Sequence, residues 1–193
     1  MKDFFNRYSY GIIKMFVNQF AISIFGSVLA MATASSGNDT LTLVVSCFAI
    51  LFYLFLIYTM TWEIGAKDKI AVDVGKKPYR PNTGVLMSLV ANIPNFIIAI
   101  VFTVAAPTMA TAKWAGNMAA VAKLASIIIE GMYLGTISTL SIAGTYLNNL
   151  WWTYFVITIP ALFISWLAYF LGHRNFRFFA SITQKKPDSA AKK

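Results

Sequence analysis

The sequence predicts an all-α integral membrane protein. The expected form is a polytopic bundle of four transmembrane helices plus one interfacial or re-entrant helix, with five spans as the alternative. Composition is the first of three observations behind this. Of 193 residues 58% are hydrophobic and 12% charged, whereas a soluble domain carries about 25% charged residues. So little polar cover would leave a water-soluble fold with large exposed apolar patches. Second, the apolar residues stand in continuous runs of the roughly 20 residues that a helix needs to cross a ~30 Å hydrocarbon layer. Third, the basic residues gather in the polar stretches between those runs. Irregular backbone cannot face lipid, and unbroken apolar runs lack the alternation of a barrel strand. Helices remain.

The first run, 11–34, is long enough to span but is interrupted by Asn18 and Gln19. Its end, Ala32-Thr33-Ala34, resembles a signal-peptidase site. A long basic region and two amides inside the apolar stretch speak against cleavage, so an uncleaved first helix is expected. The second run, 41–65, closes on Trp62 and Glu63, with Lys67 one turn further. An indole at interface level and an i,i+4 ion pair explain these three as a boundary anchor. Cys47 is the only cysteine and lies within this run. It allows no internal disulfide, and no cysteine–histidine spacing suggests a metal, so neither a metal nor a cofactor is expected.

The 66–84 connection is the richest polar segment. Ile70, Val72 and Val74 alternate, Gly75 permits a turn, and Lys76, Lys77 and Arg80 follow. This pattern suggests a small hairpin presenting a basic patch to anionic lipid head groups or a phosphorylated ligand. Fixing the topology is the simpler role for the same charges.

The third run, 85–106, contains Asn92, Pro94 and Asn95. Proline removes the donor for the Val90 carbonyl, so a kink is expected. Asn92 and Asn95 share a helical face. They form either a polar intramembrane site or interhelical glue, in which each bond contributes about 0.6–2 kcal/mol. The segment 123–146 is long enough to span but holds Glu130 and many small polar residues. Lys123, Ser126, Glu130 and Tyr133 fall on one side at helical spacing, as on an interface helix with a wet face. Glu130 then either touches water there or dips inward to meet Asn92 and Asn95. Ionisable groups inside a membrane are functional candidates, suited to holding a proton or cation. Gly131 and Gly135 form a small-xxx-small pair that favours close helix approach. The last run, 151–172, is followed by His173 and a basic tail. Residues 1–172 therefore form one transmembrane domain, and 173–193 a tail expected to be disordered towards its end.

All of the 16 basic residues except Lys113 and Lys123 lie before residue 15, between 67 and 80, or beyond 173. Basic residues stay on the inner side of short loops. Both termini and the 66–84 connection are thus expected to be cytoplasmic in a multi-pass protein of the cell membrane, which requires an even number of crossings. The expected partners are a bilayer with anionic inner head groups and other membrane subunits. Nucleic acid is not expected, because the membrane already accounts for the positive charge. No nucleophile–base arrangement, zinc helix or nucleotide fingerprint is present, so an enzyme is not expected. Two functions fit. One is a transport or solute-binding membrane subunit with Asn92, Asn95 and Glu130 along its polar path. The other is a non-catalytic interaction protein that regulates or scaffolds another membrane complex.

Overall fold

A computed structural model describes residues 2–176. Helix α1 (Lys2–Ala34) turns through Gly37, at φ +67°, into α2 (Asp39–Asp73). Asn38 caps α2, its side chain accepting from the Leu41 N–H at 3.0 Å, which satisfies one of the donors a helix start leaves open. Helices α3 (Thr83–Ala91) and α4 (Ile93–Ala105) follow, bent by 57° at Asn92. Helices α5 (Lys113–Ile129) and α6 (Leu134–Thr139) are bent by 96° at Glu130. A two-stranded hairpin, β1 (Ser141–Ile142) and β2 (Thr145–Tyr146), leads to α7 (Thr153–Val156) and α8 (Ile159–His173). Three helices are long and apolar enough to cross a membrane, or up to five if each bent pair counts as one span.

Hydrogen bonds show which ends of these elements meet. Tyr8 of α1, Asp68 of α2, Lys77 of the following loop and Tyr169 of α8 form one cluster. The start of α1, the end of α2, the start of α3 and the end of α8 therefore share one end of the bundle. At the opposite end Thr103 of α4 donates to the Trp151 carbonyl before α7. Lys123 of α5 donates to Asn149 at 2.5 Å. Helix α5 runs from this far end towards the middle of α1, where Ser23 and Ser27 donate to the Ile127 carbonyl. Helix α6 then heads back beside the start of α2, where Gly135 lies against Thr42 and Ser46. The α5–α6 pair thus leaves from and returns to the same end.

Three expectations are corrected. The 66–84 connection is no hairpin, because α2 continues to Asp73. Its residues 66–73 hold neither glycine nor proline, Glu63 pairs with Lys67 at 2.6 Å, and Asp68 is drawn inward. Only at Gly75, with φ +71°, does the chain turn. The helix expected at 123–146 begins at Lys113 and breaks at Glu130, and its last residues form the hairpin. The triple isoleucine 127–129 followed by Gly131 is a weak helix former, so packing decides the conformation there. On its polar side Ser126, Glu130 and Tyr133 are buried, the inward one of the two alternatives. The kink at the third run is present, but it falls at Asn92, with Pro94 in the first turn of α4. Proline is tolerated in a first turn because its missing N–H has no intrahelical acceptor there. Most of the expected tail, residues 177–193, lies outside the described residues.

Helices α2 and α8 approach closely because Gly65 lies against the Tyr169 carbonyl and Gly172 against the Trp62 carbonyl. The outer face of α1 exposes Ile13, Val17, Ile24 and Val28. A ring of exposed aliphatic residues is what a lipid environment would cover.

Candidate functional site

The polar residues within the apolar runs converge. Gln19, near the middle of α1, is 1% exposed and donates to Asn95 Oδ1 at 2.8 Å. Its Nε2 also bonds the Ile129 carbonyl at 3.1 Å, and its Oε1 accepts from the Tyr53 hydroxyl of α2 at 3.2 Å. Asn95 donates to Asn92 Oδ1 at 3.0 Å, and Asn92 in turn donates to the Ser88 carbonyl at 2.8 Å. One amide chain therefore runs from α2 through α1 to the α3–α4 break, with a branch to the residue before Glu130. Each amide has partners on both sides, so the chain is well satisfied.

Glu130 differs. It is 2% exposed, and neither carboxyl oxygen has a hydrogen-bond partner among the described residues. Nearly all buried polar atoms in folded proteins find a partner, and an isolated buried charge is costly. The Tyr133 hydroxyl is likewise buried without a partner among the described residues. The arrangement is a buried carboxyl at the α5–α6 break, one residue from the carbonyl that the amide chain reaches.

The break itself is sealed by small side chains. The Gly131 N–H donates to Ser23 Oγ at 2.5 Å, and Ser27 donates to the Ile127 carbonyl at 2.7 Å. Ser46 donates to the Met132 carbonyl at 2.7 Å and accepts from the Thr136 N–H at 3.1 Å. These bonds supply partners for backbone groups that a continuous helix would have paired internally. Gly131 packs on Ser23 and Ser27 of α1, and Gly135 on Thr42 and Ser46 of α2. The two glycines thus serve different neighbours and do not form one helix–helix seam.

Of the expected site residues, Asn92 and Asn95 are brought together, and Gln19 links them to the residue before Glu130. Gln19 and Tyr53 complete the cluster without having been singled out as members. The uncharged Gln19 inside an apolar run was the available signal, whereas Tyr53 had none. Lys76, Lys77 and Arg80 lie together at the opposite level, at the end of the bundle where α1 begins. Lys77 is not free there: it is paired with Asp68 and donates to the Tyr8 hydroxyl at 2.9 Å. No group of three or more histidine, cysteine, aspartate or glutamate residues fit to hold a metal occurs among the described residues.

Comparison with protein-family models, curated proteins and solved structures finds no match.

Proposed function

We propose that this chain is a small transport or solute-binding membrane subunit whose polar intramembrane site takes a small cation at Glu130. The observation that carries the reading is the buried carboxyl at the α5–α6 break, both of whose oxygens lack a partner among the described residues. In membrane transporters, coupling-ion and substrate sites typically lie at such breaks, where backbone leaves regular helix deep in the bundle. A buried carboxyl is neutralised either by a proton or by a bound cation. Asn92, Asn95 and Gln19 hold the wall of the site in place.

The test is thermal unfolding of the detergent-solubilised protein in sodium, potassium, lithium or ammonium salts, with choline as the inert reference. A ligand at one hundred times its Kd stabilises by about 2.7 kcal/mol. The expected result is stabilisation by at least one cation in the parent protein and none in Glu130→Gln, which keeps the shape and removes the charge. Equal stability in every salt, or equal stabilisation of the glutamine variant, would overturn the reading.

The same proposal takes the membrane topology as four crossings, with the α5–α6 pair re-entering from the outer side. Both termini and the 74–82 loop then lie on the cytoplasmic face of the cell membrane. Support comes from the charge distribution and from the return of α6 to the end at which α5 begins. In a Cys47→Ser background, an impermeant thiol reagent applied to intact cells should modify Ser36→Cys and Thr145→Cys and spare Asp73→Cys. Were Thr145→Cys spared along with Asp73→Cys, the pair would cross fully and five spans would be correct.

A further inference from the structure

A second site lies at the end of the bundle where α1 begins and α2 ends. Asp68 and Lys77 form an ion pair there, their side chains only 11% and 7% exposed. The Tyr8 and Tyr169 hydroxyls both donate to Asp68 Oδ2, at 2.7 and 2.8 Å. This buried knot ties the loop after α2 to α1 and α8. It also fixes the positions of Lys76 and Arg80, which flank it in the chain.

The knot forms one wall of a cavity of about 240 Å³. Arg7, Lys76 and Arg80 line it, together with Thr83 and a single acid, Asp3. The side chains of these three cations have no ion-pair or hydrogen-bond partner among the described residues. Three uncompensated cations from two separate chain segments around one concavity are a binding arrangement for an anion. Two guanidinium groups match phosphate oxygens in their planar donor geometry. The volume lies just below the 300–1,000 Å³ range of drug-sized ligands, enough for a phosphate with a small substituent.

We propose that Arg7, Lys76 and Arg80 bind a phosphate group in this cavity. Arg7 and Tyr8 also border a second cavity of about 430 Å³ against α2, lined by Gly11, Met60 and Ile64 and by the charged Lys14, Glu63, Lys67 and Asp68. A cationic pocket at the end of a bundle read as spanning a membrane suits the head group of an anionic phospholipid. A soluble phosphorylated solute offers the same phosphate chemistry. This site is independent of the cation site at Glu130.

The experiment measures binding to the full detergent-solubilised chain by native mass spectrometry, using phosphatidylglycerol and the phosphate-free lipid diacylglycerol. Glycerol 3-phosphate serves as a soluble competitor. Phosphatidylglycerol should bind well above diacylglycerol, and Arg7→Gln, Lys76→Gln and Arg80→Gln should each weaken it about five- to tenfold. These side chains are unpaired, so the variants should keep the parent's unfolding temperature without lipid. Retention of phosphatidylglycerol against excess glycerol 3-phosphate would assign the phosphate to lipid, and ready displacement would assign it to a soluble ligand. Equal binding of the two lipids, or undiminished binding in the folded triple variant, would overturn the proposal.

Discussion

Asp68→Ala is expected to destabilise the protein by about 3–5 kcal/mol, the cost of breaking a buried ion pair from one side. The substitution strands the Lys77 ammonium without its counter-charge, in a position where its side chain is only 7% exposed. It also removes the oxygen that accepts from both Tyr8 and Tyr169, so two phenols lose a partner together. Removing both charges behaves differently. In Asp68→Leu/Lys77→Met no stranded charge remains, and replacing a buried pair by apolar residues is often neutral or even stabilising. The phenols still lose their acceptor, which places the double variant between the parent and the single one. Equilibrium unfolding in mixed micelles measures all three. A single variant within about 1 kcal/mol of the parent would mean that water reaches the pair and screens it.

Gln19→Leu is expected to have an effect of similar size for a different reason. It deletes one side chain that serves three neighbours: Asn95, the Ile129 carbonyl and the Tyr53 hydroxyl. Each buried polar group left without a partner costs about 1–3 kcal/mol, although measured bonds between membrane helices fall nearer 0.6. A loss of roughly 2–4 kcal/mol follows from combining these figures. The distinguishing observation is the double-mutant cycle with Asn95→Leu. Two residues joined by a hydrogen bond should depart from additivity by about 0.5–3 kcal/mol. Strict additivity would show that the amides are not coupled across α1 and α4.

The helical class and the positions of the long apolar runs could be read from composition and hydropathy, because both follow from chain-local properties. The break near Asn92 was equally legible, since proline acts on its own helix. Neighbours across helices were not. Asn95 and Gln19 are separated by 76 residues, and only the rotation of each helix about its axis makes them meet. Glu130 was recognisable as an anomalous carboxyl, but whether it faced water or the bundle depended on the chain breaking beside it. That break rests on serines of α1 and α2, whose role no local pattern announces. The alternation of Ile70, Val72 and Val74 misled for a related reason. A three-residue β pattern is outweighed when the preceding helix continues through it without a breaker, with Asp68 buried just before it.

The serines that seal the α5–α6 break bear on the order in which the chain is assembled. Outside the bundle, the backbone around Gly131 and Met132 would present unpaired N–H and C=O groups to hydrocarbon, which is prohibitive for irregular backbone. Ser23, Ser27 and Ser46 belong to α1 and α2, which are synthesised before α5. On the proposed topology the α1–α2 hairpin would act as a template, its paired helices standing in the bilayer before the later segment has anywhere to place its bend. On the proposed four-crossing topology, insertion of the α5–α6 pair would be a late, protein-guided step, governed by a surface the nascent chain has itself laid down.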